Sequence, residues 1–141
     1  MRVRCVANMP LHLPSVYFRP RGIYLQHAKK ELPLRPGMEY LVYGIIFHDQ
    51  QASMYLCTED GPDYPIWYPL PLFEIVDSRA SRIWRLAVDL SRSGDARIVP
   101  EDWARDNYFY DRLTDGDPEA VRAWDKMKTI LEIEDQELRA L

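Results

Sequence analysis

The spacing of the apolar residues changes at Pro100, and that switch constrains the fold more than any other feature of the chain. Before Pro100 the pattern has period two, which reads as strands; after it, period three and four, which reads as helices. Val3, Cys5 and Ala7 alternate with Arg2, Arg4 and Val6 over a strand at 2–8. Tyr40 to Phe47 is the strongest β segment, rich in β-branched and aromatic residues, and Gly44 within it predicts a bulge or bend. His48-Asp49-Gln50-Gln51 reads as a hairpin turn, with the partner strand at 53–58. A second turn, Glu59 to Asp63, leads to the short strand Ile66-Trp67-Tyr68. Leu70-Pro71-Leu72 then reads as a tight helical turn before the strand Phe73-Glu74-Ile75-Val76. Residues 81–90 alternate again, with Trp84, Leu86, Val88 and Leu90 on one face, and Arg97-Ile98-Val99 adds a last short strand.

Beyond Pro100, Glu101 and Asp102 fall in a first helical turn, where the helix dipole favours acids. Trp103, Tyr110 and Leu113 share one stripe of that helix, and Gly116 ends it. Asp117 as N-cap and Pro118 at the first position open the next. Its apolar face runs through Ala120, Ala123, Trp124, Met127, Ile130 and Leu131, and the acidic tail after Glu132 is expected to fray. The prediction is an α+β protein: a small curled antiparallel sheet of five to six strands, residues 1–99, then two C-terminal helices packed on it, residues 100–141. Pro10, Pro14 and Pro20 make residues 9–37 a long irregular connection. Leu13, Val16, Tyr17, Phe18, Ile23, Tyr24 and Leu25 are its expected anchors.

A chain of 141 residues can bury a core without a metal or a disulfide scaffold. Its two cysteines, Cys5 and Cys57, read as reduced thiols on apolar strand faces. The opening Met-Arg-Val-Arg, followed by Pro10 and Pro14, does not read as a secretory signal. The longest apolar stretch is the seven residues Leu41 to Phe47, against the roughly twenty that a membrane span needs. The expectation is a cytoplasmic protein with no membrane partner.

The net charge of -4 is unevenly distributed. Residues 1–57 hold 7 Lys and Arg against 3 acids; residues 58–141 hold 11 against 19; residues 98–141 alone hold 12 acids against 6 bases. An acidic surface repels phosphate and attracts basic partners, so nucleic acid is disfavoured as a ligand.

Complete catalytic motifs are missing. His12, His27 and His48 sit in predicted loops without metal-ligand spacing, and Asp111 to Asp117 fails the calcium-loop pattern because Arg122 stands where a bidentate Glu is required. No cofactor is expected, since the few glycines do not cluster into a phosphate loop. Two chemical alternatives stay open. One is a small hydrolase-type enzyme using Cys57 or the turn acids Glu59, Asp60 and Asp63. The other is a small barrel that stacks nucleic-acid bases on exposed aromatics, with Arg2, Arg4, Arg19, Arg21, Lys29, Lys30 and Arg35 as its basic front.

The run Trp67-Tyr68-Pro69-Leu70-Pro71-Leu72-Phe73-Glu74-Ile75-Val76 resembles the closing segment of Src-homology-3-like barrels: strand, proline, one-turn helix, aromatic, strand. Together with Cys5, Gly37, Tyr40, Val42, Tyr43, Gly44, Ile45, Asp60 and Gly61, it resembles a group of small bacterial and phage proteins. Some larger versions of these resemble immunity proteins encoded beside toxins. The resemblance implies a Src-homology-3-like barrel over about half the chain. It also implies a non-enzymatic protein-binding function, most concretely neutralising a basic toxin domain such as a nuclease. The candidate interface residues are Glu59, Asp60, Asp63, Tyr64, Trp67, Tyr68, Asp111 and Asp115, where aromatics beside charge favour protein recognition.

Overall fold

The computed structural model describes residues 1–18, 30–90 and 94–141. The anchors Ile23, Tyr24 and Leu25, together with Arg19, Pro20, Arg21, His27, Lys29 and residues 91–93, lie outside the described residues. The described strands are β1 (Arg2–Cys5), β2 (Glu39–Leu41), β3 (Gly44–His48), β4 (Gln51–Leu56), β5 (Ile66–Pro69), β6 (Phe73–Asp77), β7 (Trp84–Asp89) and β8 (Asp95–Pro100). They form two antiparallel sheets, one in the order β2-β1-β6 and one in the order β5-β4-β3-β8-β7. That is more strands than the five or six expected. The segment Tyr40 to Phe47, expected as one strand, divides at Val42 and Tyr43 into β2 and β3, and β8 runs six residues instead of three, through the charged Asp95 and Arg97. Arg97 is nonetheless 7% exposed and donates to Asn107 Oδ1 at 2.8 Å.

The two sheets are joined by short links. Only Val42 and Tyr43, both buried, separate β2 in one sheet from β3 in the other. A 3-10 turn at Leu70–Leu72 connects β5 to β6, and Pro69 and Leu72 are buried there. The ends of the long connection are packed as expected. Leu13, Tyr17 and Leu34 belong to the core, and the Tyr17 hydroxyl both donates to the Ala52 carbonyl (3.0 Å) and accepts from its amide (3.1 Å).

The helical end differs from expectation in two ways. The first predicted helix is broken into α1 (Glu101–Ala104) and α2 (Phe109–Thr114). The Asp106 carboxylate accepts from the Tyr108 amide at 2.9 Å, and such local bonds compete with helix propagation. Gly116, at φ 81°, ends α2, and the Asp117 side chain accepts from the Ala120 amide at 3.2 Å to cap α3 (Pro118–Arg139). The acidic tail does not fray: α3 runs 22 residues. Tyr43 Oη donates to Glu132 at 3.0 Å, the Arg82 amide donates to Glu134 at 3.1 Å, and Arg2 Nη1 donates to Asp135 at 2.8 Å. Part of the acidic excess thus meets basic and polar groups of the β half.

One contiguous buried cluster runs from Val3 through Tyr55 and Leu56 to Trp103, Trp124 and Leu131. Tyr55 lies on the sheet face that receives the helices, 4.6 Å from Trp103 between ring centres. The even-numbered face of β7 is not buried as its alternation suggested. Trp84 is 7% exposed, but Leu86 is 70% and Val88 50%. The helical layer covers the opposite face, and β7 is the outermost strand of its sheet.

Candidate functional site

The turn that follows β4 is fastened to the helices by aromatic side chains. Trp124 Nε1 on α3 donates to the Asp63 carbonyl at 2.7 Å, and the Tyr110 hydroxyl on α2 donates to the Pro65 carbonyl at 2.7 Å. These bonds satisfy buried donors that would otherwise cost the stability their burial provides. Tyr110 stacks on Trp103 (5.7 Å, 8° between planes) and meets Tyr64 edge-on at 6.4 Å.

Between turn and helices opens a cleft of about 520 Å³. Pro62, Asp63 and Tyr64 form one wall; Leu113, Thr114 and Gly116 at the end of α2, with Val121, Trp124, Asp125 and Lys128 on α3, form the rest. Asp63 and Asp125 give its rim negative charge, and Lys128 is the one cation among its described lining residues. Lys128 also lines a neighbouring groove of about 450 Å³ with Tyr43, Cys57, Glu59, Glu132 and the Arg2–Asp135 ion pair.

The eight candidate residues are therefore distributed unevenly. Asp63 and Tyr64 line the cleft, and Asp115 is exposed in the turn beside its Thr114–Gly116 edge. Asp111 is exposed on α2, Glu59 lines the neighbouring groove, and Asp60 is exposed on the turn. Trp67 and Tyr68 point to opposite faces of β5. Trp67 is 38% exposed and lies beside Tyr55 on the helix-bearing face of the sheet, stacking on His48 at 4.8 Å and on Tyr55 at 6.1 Å. Tyr68 is 5% exposed and belongs to the core, so it offers no surface to a partner. Asp125 and Lys128 escaped the sequence reading. They extend the Val121 stripe at helical spacing and flank the apolar stripe through Trp124, a signal available only once α3's buried face is known.

Among the described residues, the groups expected of a small hydrolase do not converge at these clefts. Burial pushes the Cys57 thiol up to about 11, so little thiolate exists near neutrality. Among the described residues no histidine lines either cleft. Glu59 and Asp63 line different clefts. Among the described residues no group of three His, Cys, Asp or Glu is arranged to hold a metal, and no helix is long and apolar enough to cross a membrane. In the basic front half, Arg4 pairs with Glu39 (3.3 Å) and Glu74 (2.5 Å), and Arg2 with Glu39 (3.4 Å) and Asp135 (2.8 Å), which diverts two of its cations from phosphate. Compared with known protein families, with curated proteins and with solved structures, the chain finds no match in any of the three.

Proposed function

We propose that this chain is a non-enzymatic protein-binding module whose acidic cleft receives a basic segment of a protein partner. The observation that carries the reading is the cleft itself: rigid walls held by Trp124 and Tyr110, an apolar floor, and carboxylates at Asp63 and Asp125 on its rim, with Asp115 beside it. Such a site steers a cationic partner electrostatically and binds its apolar portion by desolvation. In its most concrete form the module is an immunity-type protein that covers a basic toxin domain, a nuclease being the class whose own surface is most cationic.

The finer fold reading supports this without carrying it. In that reading β1, a long connection, β2 and β3, β4 and β5, a 3-10 turn and β6 would be the strands of a Src-homology-3-like barrel, here paired as separate sheets of three and five strands, with β7, β8 and the three helices as elaborations of it.

The test is binding of the purified protein to the product of the adjacent gene, followed by calorimetry at two salt concentrations. Specific binding that weakens with salt, and weakens at least tenfold in Asp63→Lys/Asp125→Lys, is the expected result. Both sites are exposed, so the variant keeps its fold. No complex and no protection of cells from that product would sink the immunity version, and binding indifferent to the double variant would remove the cleft.

A further inference from the structure

β7 is the free edge of the five-stranded sheet, at the opposite side from β5, and its outer face is apolar. Leu86, Val88 and Leu90 are 70%, 50% and 85% exposed. In register, Val88 neighbours Ala96 on β8, and Ala96 neighbours Phe47 on β3, itself 43% exposed, so the apolar row crosses three strands.

One bond sets the hydrogen-bond phase of the edge. The Glu101 amide donates to the Ile83 carbonyl at 3.0 Å, which makes 83 and 101 a hydrogen-bonded pair continuing the β7–β8 register. Such pairs alternate along an antiparallel ladder. Arg85, Ala87 and Asp89 therefore turn their amides and carbonyls toward β8, while Leu86 and Val88 turn theirs outward. Arg85 Nη1 donates to the carbonyls of Trp84 (2.8 Å) and Arg82 (2.9 Å), closing the beginning of the edge. Among the described residues no strand pairs with Leu86 to Val88, and the stretch holds neither a proline nor a bulge of the kind that commonly guards an edge.

We propose that this edge pairs with β7 of a second copy, antiparallel about a two-fold axis at Ala87. The sequence Trp84-Arg85-Leu86-Ala87-Val88-Asp89-Leu90 is self-complementary about that residue. Leu86 stands opposite Val88 of the second copy, their outward amides and carbonyls bond reciprocally, and Arg85 faces the position of Asp89. Moving the axis to Leu86 would call on the Trp84 carbonyl, already taken by Arg85 Nη1, and moving it to Val88 would call on Leu90, beyond the end of the strand, so the open stretch selects the Ala87 register. The pairing is isologous, which closes the assembly at two copies and leaves the acidic clefts clear of the shared edge.

Sedimentation velocity from about 1 to 100 µM reads the result directly. The 16.6 kDa chain is expected to shift toward twice that mass with rising concentration. Leu86→Lys and Val88→Glu, each at an exposed position, are expected to stay monomeric alone, with at least tenfold weaker association. An equimolar mixture of the two is expected to dimerise again, because each introduced lysine stands opposite an introduced glutamate. A wild-type chain monomeric throughout, variants that associate like wild type, or a mixture that stays monomeric would overturn the proposal.

Discussion

Gly44 shows how one residue sets the approach of the layers. It opens β3 just after the chain passes between sheets, and a Cβ built there would lie 2.8 Å from Val99 Cγ1 and 3.2 Å from the Ile98 carbonyl. Val99 is fully buried, and the Ile98 oxygen is backbone on β8. Gly44→Ala should therefore lower unfolding free energy by about 1–3 kcal/mol, the usual range for overpacking, as a smaller urea midpoint with unchanged slope. A variant as stable as wild type would show that β8 shifts freely. The sequence made the bend legible, since a glycine in a β-branched run has few other uses. It did not make Val99 legible as the cause, because that contact joins positions 55 residues apart. Arg97 and Asp89 were hidden for a related reason: charged residues read as solvent-facing, and it is the folded chain, which sets Arg97 against Asn107 of the helical segment, that buries them.

At the scale of elements, α3 is the clearest case of a local signal completed by distant partners. Its start was written in Asp117 and Pro118, and its buried face in the spacing of Ala120, Trp124, Met127 and Leu131. Its end was not, because the carboxylates that suggested fraying are held by residues far away in sequence. At Glu134, burial favours the neutral acid, but hydrogen bonds from the Arg82 amide and from Ser81, and the Arg82 guanidinium, outweigh it and hold the carboxyl below its ordinary value. A carboxyl depressed in the folded state adds stability that is complete above its unfolded pKa and disappears as pH falls through the folded value. Wild type should therefore lose melting temperature more steeply than Glu134→Gln between about pH 5 and pH 3, the two curves converging in acid. Asp77, held low by hydrogen bonds from Arg79, contributes equally to both proteins and cancels in the comparison. Parallel curves would mean that the docked tail owes nothing to this carboxylate. The break between α1 and α2 was illegible because Trp103, Tyr110 and Leu113 keep helical spacing across it, while the Asp106 bond that interrupts the helix costs only one turn.

For the whole molecule, the change of period at Pro100 marks a change of element, not a seam in the core. Tyr43 of the strand bend meets Trp124 at 5.3 Å, Tyr55 of β4 meets Trp103 at 4.6 Å, and Trp103 meets Trp124 at 6.4 Å, so rings from both halves form one buried group. Trp103 and Trp124 are each 1% exposed. The tail adds its ion pair from Asp135 to Arg2 at the other end of the chain. Removing the helices would expose a face of the sheet that has no polar residues prepared for water at Tyr55 and Val99. The two halves should consequently unfold together. Helical signal at 222 nm and tryptophan fluorescence should trace a single denaturant transition with the same midpoint. Trp103→Leu should move that midpoint down by about 2–4 kcal/mol of stability while keeping the two probes coincident. The coincidence is the discriminating part. If the helices were only an appendage, helical signal would be lost first, and Trp103→Leu would widen the gap between the probes instead of shifting both.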